Sequence, residues 1–445
     1  MKLLARAPYA LAARLARAAA ELTPAGDGKL RASLHARRGV VNRFTRWSAA
    51  HRDLARPLLW MHAPSVGEGL QARPVLDLLR ARHPEWQIVY TFFSPSAEKF
   101  ARALAVDYTD YLPFDSAPDM AALCDALRPS ALIFSKLDVW PVLAESAAAR
   151  GIPLGMISAT VSGISSRNGR IADWVLRDAY AALDAIGAVD GDDAQRLIAM
   201  GARTFALHVT GDTRYDQVAL RAQHVDRASA LLAPLASARP TLVAGSTWPS
   251  DEAPLLTAWR ALRTRVPDAR LIIAPHEPTP DHLEPVERAA QQLGLVVARL
   301  GTEAQRTADV IVVDRVGVLG DLYALADVAF VGGGFHSAGL HSVVEPAAFG
   351  APVLFGTQHR NARDAELLVR AGGGFSVGSS DAVETALVRL FSDESVRVDA
   401  GARALALVSS GLGAAERSGL LVEGLVARGS AASGGRGSSA SGGRG

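Results

Sequence analysis

The chain is poor in cysteine: Cys124 stands alone, which rules out an intrachain disulfide. No zinc-ligand cluster accompanies it, and the two absences together fit a reducing compartment. No run of about 18 uncharged apolar residues occurs, so no transmembrane helix is expected. Walker loop, zincin motif and Gly-x-Ser-x-Gly elbow are all missing. No metal and no cofactor is expected. Basic stretches lack interleaved aromatics and recognition motifs, so nucleic acid is not an expected partner.

What is present is an ordinary globular composition. The chain has 445 residues, 49% hydrophobic and 21% charged, enough for two or three domains. Net charge is only +2 but unevenly placed. Residues 1–46 hold ten Lys/Arg against Glu21 and Asp27, leaving the remainder net acidic. Met1–Leu22 is rich in Ala and Leu, with arginines at helical spacing. Arg14 and Arg17 interrupt any apolar core of a cleavable signal peptide. Two readings stay open: a basic amphipathic helix on an anionic membrane surface, or a helix packed on its own domain.

From Pro57 apolar runs alternate with amphipathic segments. Strands are predicted at Leu58–His62, Ile88–Phe93, Ala131–Ser135, Pro153–Ile157, Ala185–Val189 and Ala206–Val209. A second series is predicted at Thr241–Ala244, Leu271–Ala274, Val310–Val313, Val328–Val331 and Val353–Phe355. This rhythm predicts α/β architecture with two doubly wound, Rossmann-like domains. The expected layout is a basic segment at 1–46, domains at 47–216 and 240–428, a helical connection at 217–239, and a disordered Gly/Ser-rich tail at 429–445. A cleft between the domains is the expected ligand site.

Chemistry in open α/β sheets gathers beyond the carboxyl ends of strands. Glu68 stands there, after Leu58–His62, and reads two ways. Ser65-x-x-Glu68 is a capping box; Glu68 is also a candidate general base, since a helix N-terminus favours the ionised carboxylate. Asp138, after Ala131–Ser135, reads as a helix N-terminal acid or as a group that orients an acceptor or holds Lys136. In the second series Ser246 and Thr247 suit a phosphate or an ordinary N-cap. His276 reads as exposed or as a nucleotide contact, and Asn361 as a donor to a carboxylate or phosphate. The run Gly332-Gly333-Gly334 lets backbone approach a ligand, with a helix start behind it. His341 and Glu345, four residues apart, are expected one helical turn from each other, with Glu345 placed to accept from a ribose.

These blocks, taken in order, resemble the Kdo transferases, the 3-deoxy-D-manno-octulosonic acid transferases of Gram-negative bacteria. The resemblance runs from about Trp60 to about Gly374. It rests on His62-Ala63-Pro64-Ser65-Val66-Gly67-Glu68, Lys136-Leu137-Asp138-Val139-Trp140, Val209-Thr210-Gly211-Asp212-Thr213-Arg214-Tyr215-Asp216, Ala244-Gly245-Ser246-Thr247-Trp248, Gly317-Val318-Leu319-Gly320-Asp321-Leu322-Tyr323 and Gly332 through Pro346.

The resemblance implies a GT-B glycosyltransferase fold, CMP-Kdo as donor and a lipid A precursor as acceptor, in lipopolysaccharide core biosynthesis. It implies Glu68 as catalytic glutamate, Asp138 as the second acidic position, and His341, Glu345 and Pro346 as a nucleotide-binding element. It further implies a peripheral enzyme on the cytoplasmic face of the inner membrane. Departures from the family pattern are Lys136 and Asp138 within its usual Glu-Thr-Glu-Leu-Trp-Pro, Leu340 and Ser342 around His341, Thr160 in place of an Arg, and Pro275-His276-Glu277-Pro278. On this reading Lys136, Arg167 or Arg214 pairs with the donor carboxylate, and amides of Gly332–Gly334 with Ser246 and Thr247 meet the phosphate. A GT-B enzyme with another nucleotide sugar, and a non-catalytic nucleotide- or lipid-binding scaffold, are the rival readings.

Overall fold

A computed structural model describes residues 3–24, 28–161, 170–337, 339–359 and 362–438. The chain forms two compact units, Met1–Gln217 with Leu412–Gly445, and Val218–Gly411.

The first unit is built on seven parallel strands: β1 Leu58–His62, β2 Gln87–Phe92, β3 Tyr108–Tyr111, β4 Ala131–Ser135, β5 Leu154–Ala159, β6 Ala185–Ala188 and β7 Leu207–Val209. Their order is β3-β2-β1-β4-β5-β6-β7. Every residue of β1, β2, β4 and β5 is buried, as expected of strands covered by helices on both faces. Beside β1, the order reverses: β2 and β3 lie to one side, β4 to β7 to the other. Such a reversal leaves a crevice at the strands' carboxyl ends, since the flanking loops part in opposite directions.

The second unit repeats the plan with β8 Thr241–Thr247, β9 Arg270–Pro275, β10 Val297–Arg299, β11 Val310–Val312, β12 Val328–Val331, β13 Val353–Gly356 and β14 Gly374–Val377. The order is β10-β11-β9-β8-β12-β13-β14, so the reversal lies at β8 and β12. Apolar cores cover both faces of this sheet, one around Trp259 and Leu271, the other around Val243 and Tyr323.

Three expectations on layout are corrected. Residues 217–239, expected as a helical connection, are α-helical only as far as His224, and Leu232 and Leu235 are buried in the second unit's core. The last helix, Ala414–Ser438, belongs to the first unit, where Val422, Leu425 and Val426 join the core. That helix also overrides the expected disorder from Gly429. Gly429 is buried and Ser430 Oγ donates to Ser130 Oγ at 3.2 Å; residues 439–445 lie outside the described part.

The basic N-terminus folds as α1 Leu3–Leu22, α2 Lys29–Ala36 and α3 Val40–His51. α1 is pinned to the first unit. Arg6 pairs with Glu145 at 2.7 Å, Tyr9 donates to Asp115 at 2.8 Å, and Arg17 meets Asp119 at 3.2 Å. Its other face is bare: Leu11, Leu15 and Leu22 are 59%, 63% and 82% exposed. Among the described residues no helix is long and apolar enough to cross a membrane.

Candidate active site

In the first unit the chain leaves β1 and enters α4, Val66–Arg82, within a few residues. Ser65 caps that helix, its Oγ accepting from the Gly67 amide at 3.2 Å. Glu68 is therefore held in the first turn, and its Oε2 accepts from the Ser65 hydroxyl. Its Oε1 lies 3.5 Å from Lys136 Nζ, which arrives from the end of β4. Ser135 Oγ donates to the Glu68 carbonyl at 2.8 Å, tying the end of β4 to the first turn of α4. Partial burial would raise the Glu68 carboxyl; the Ser65 hydroxyl and the Lys136 ammonium outweigh it and hold the group below the ordinary range. Glu68 is thus ionised at neutral pH, half-buried, at the reversal of the sheet. The Ser65 cap is what presents the carboxylate.

Behind Glu68 lies a dry relay. His62, at the end of β1, is fully buried. Trp140 donates its indole N–H to His62 Nε2 at 2.9 Å, so His62 Nδ1 carries the proton and donates to Thr91 Oγ1 at 2.9 Å. Thr91 also accepts from Trp60 at 2.9 Å. Burial pushes the His62 imidazole down to about 3. The relay anchors Trp140, whose ring also lies 4.8 Å from Phe93, and with it the loop carrying Lys136 and Asp138. Asp138 is half-buried in that loop. Lys136 itself sits at φ 64°, a left-handed conformation that costs a side-chain-bearing residue about 1–3 kcal/mol. Such strain persists only where surroundings impose it, and here the Lys136 amide donates to Ile157 at 2.9 Å.

In the second unit, β8 bulges at Ser246, which has φ 53°, and its pairing with β9 shifts there. The bulge turns the chain into Trp248 and the helix Pro249–Arg263. Trp248 is the hub of an aromatic cluster. It stacks on His336 at 4.5 Å and on His276 at 4.8 Å, and donates to His341 Nε2 at 3.4 Å. His276 and His341 rings lie 4.5 Å apart. Burial, reinforced by His276, lowers the His341 imidazole. Among the described residues no three His, Cys, Asp or Glu side chains form a group that could hold a metal ion.

Asp251, wholly buried in the first turn of that helix, organises the glycine run. Its Oδ2 accepts from the amides of Trp248 at 2.9 Å and Gly333 at 2.8 Å, and its Oδ1 from Phe335 at 3.0 Å. The Gly332 amide donates to Gly245 at 2.9 Å. A Cβ on Gly332 would stand 2.2 Å from the Ser246 carbonyl, and one on Gly334 2.4 Å from the Gly356 amide. The glycines are required by backbone packed on backbone.

This corrects the expected phosphate cradle. The amides of Gly332 and Gly333 already have partners, and a buried carboxylate beside them disfavours a second anion. Thr247 is also withdrawn: it is buried and its hydroxyl donates to Glu252 at 2.8 Å. Ser246 stays half-buried at the bulge and His276 is exposed.

The expected pairing of His341 with Glu345 along one helix fails as well, because the helix is a single turn, Val344–Ala347, and His341 precedes it. Glu345 instead meets Ser342 and the charge of Arg221; burial outweighs both and raises its carboxyl. Arg214 is bound to Asp212 at 2.7 Å and 2.8 Å, so it is not a free partner for a donor carboxylate. Asn361 and Arg167 lie outside the described residues. Sequence reasoning missed Asp251, His336 and the His62 relay as organising groups. Only Asp251 had a local signal, three residues after Trp248 at the spacing of a capping acid.

Two units with parallel, doubly wound sheets, each with its polar cluster at the strands' carboxyl ends, define an α/β protein with the GT-B fold. The same fold occurs in UDP-GlcNAc 2-epimerase from Neisseria meningitidis, solved bound to UDP-GlcNAc, with TM-score 0.58, 14% identity, and 80% and 99% of the two chains covered. A glycosyltransferase from Rickettsia africae matches with TM-score 0.58, 13% identity, and 84% and 99% covered.

Sequence comparison then narrows the class. Residues 33–217 match the family described as 3-Deoxy-D-manno-octulosonic-acid transferase (kdotransferase). The 3-deoxy-D-manno-octulosonic acid transferase of Bordetella pertussis is 32% identical over 339 residues, covering 73% of this chain and 76% of that one. Its counterpart in Haemophilus influenzae is 26% identical over 364 residues, covering 81% and 85%. The chain belongs to the Kdo transferase family, and it is a glycosyltransferase.

Proposed function

We propose that this enzyme moves Kdo from CMP-Kdo to a lipid A precursor in lipopolysaccharide core biosynthesis, in one inverting step. The observation that carries the reading is Glu68, an ionised carboxylate at the reversal of the first sheet in a chain of this family. Glu68 takes the proton from an acceptor hydroxyl as that oxygen attacks the anomeric carbon of Kdo. The bond from that carbon to the phosphate breaks, and CMP leaves with the electron pair. A positioned base of this kind contributes about 10²–10⁴ in rate. Asp138 remains the proposed second acid.

The donor's nucleotide is assigned to the second unit. Trp248, His276, His336 and His341 offer aromatic surface and imidazole groups there. Glu345, whose raised carboxyl still accepts hydrogen bonds, is the proposed ribose ligand. Ser246, freed from the strand ladder by its bulge, is the proposed phosphate contact. No metal is required by this scheme. The exposed leucines of α1, with Arg14 among them, support peripheral attachment to the cytoplasmic face of the inner membrane.

The test is transfer itself. CMP-Kdo generated in situ and a lipid A precursor should give a product heavier by one or more Kdo residues. Absence of product, with CMP failing to raise the melting temperature where UDP or GDP does, would reassign the donor.

A further inference from the structure

We propose that Lys136 is a positioning residue for this reaction, holding the Glu68 carboxylate oriented for proton abstraction. The inference rests on the function proposed above and adds a residue to it. Three observations carry it. Lys136 Nζ lies 3.5 Å from Glu68 Oε1, while Ser65 holds Oε2, so each oxygen has its own partner. The backbone that delivers Lys136 is fixed in a left-handed conformation at φ 64°, with its amide bound to Ile157 at 2.9 Å. The neighbouring Ser135 hydroxyl is bound to the Glu68 carbonyl at 2.8 Å, so ammonium and carboxylate are registered by the end of β4 and the first turn of α4 rather than by flexible side chains alone.

The surroundings of Glu68 leave this role to Lys136. From β2, Tyr90 faces Glu68 with a phenol that burial keeps neutral. Ser65 supplies a hydrogen bond but no charge. Asp138, the other charged residue of the loop, carries charge of the wrong sign to steady a carboxylate. Lys136 is the cation paired with Glu68, and its side chain is 42% exposed, which leaves it room to follow the carboxylate when an acceptor hydroxyl arrives.

The experiment compares Lys136→Met, Lys136→Gly and Lys136→Arg by the pH profile of kcat/KM. Removing the ammonium should raise the acid limb, governed by Glu68, by about one pH unit, discounted from the full effect of a close opposite charge because Lys136 is partly in water. At a pH below that limb both neutral variants should therefore lose about tenfold, and recover most of it at higher pH. Lys136→Gly suits the left-handed backbone, so it should melt no lower than wild type and still show the shift. Lys136→Arg should keep the wild-type limb.

A loss equal at every pH, or no loss, overturns the proposal. A readout without turnover separates this result from failure of the proposed function. The ¹³C resonance of the Glu68 carboxyl, assigned by its absence in Glu68→Gln, should titrate higher in Lys136→Met than in wild type. An unmoved resonance overturns the proposal even if transfer is confirmed. A moved resonance in a protein that transfers nothing upholds the pairing and rejects the reaction.

Discussion

Trp140 donates its indole N–H to Nε2 of the fully buried His62 at 2.9 Å, inside the first unit. The contact fixes one tautomer of a histidine that burial pushes down to about 3. The unfolded chain offers the same imidazole at about 6.5. Below that value the unfolded state takes up a proton that the native state refuses. Stability from this group is therefore complete above about pH 6.5 and falls as pH drops towards 3, by about 1.4 kcal/mol per unit. Urea unfolding of wild type and His62→Gln across pH 4–7 checks this. The wild type should lose about one proton's worth of slope more than the variant. Parallel curves would mean that His62 is not the group responsible.

Asp251 is expected to govern nucleotide binding without touching the nucleotide. Asp251→Ala leaves the amides of Trp248, Gly333 and Phe335 without their acceptor in a dry interior. Losing hydrogen bonds to a charged group costs about 1.5–3 kcal/mol each, less whatever water recovers. A fall in unfolding free energy of at least about 2 kcal/mol is expected, together with weaker CMP binding by calorimetry. A variant that melts like wild type would show that the glycine run holds itself.

The exposed face of α1 should matter to membranes and not to folding. Leu11 and Leu15 are 59% and 63% exposed, so Leu11→Asp with Leu15→Asp should leave the melting temperature within a degree or two. Burying one leucine contributes about 1.5–3 kcal/mol, so losing both should reduce binding to anionic vesicles by at least about tenfold. The remaining binding should fall further with salt, as arginines are screened. Unchanged flotation would leave α1 as a packed helix only.

The sequence made the centre of each sheet legible and its rim much less so. Strands β1, β4 and β12 lie where apolar runs predict them, residue for residue, because burial on both faces demands continuous hydrophobicity. The strands not predicted, β3, β10 and β14, are all sheet edges. Their sequences Tyr-Thr-Asp-Tyr, Val-Ala-Arg and Gly-Phe-Ser-Val are mixed, since an edge needs one dry side only.

The site divides in the same way. Glu68 could be found because a carboxylate just past a strand is visible in one dimension. The grip of Asp251 on an amide 82 residues later could not, nor could the meeting of Lys136 with Glu68 across 68 residues. Both depend on which strands become neighbours. The phosphate role expected of Gly332–Gly334 failed for a related reason. Glycines mark close approach, but the sequence does not say whether the approaching group is a ligand or, as here, Ser246 and Gly356.

The proposed transfer depends on Glu68 as the base. Its most direct test is single-turnover transfer by Glu68→Gln, with CMP-Kdo generated in situ and a lipid A precursor, beside the CMP-induced rise in melting temperature of the same protein. The amide keeps the size and hydrogen bonding of the side chain but cannot accept the proton. Transfer should fall by at least about 10²-fold while the CMP-induced rise is unchanged. Transfer within a few-fold of wild type would return Glu68 to capping α4 and contradict the account.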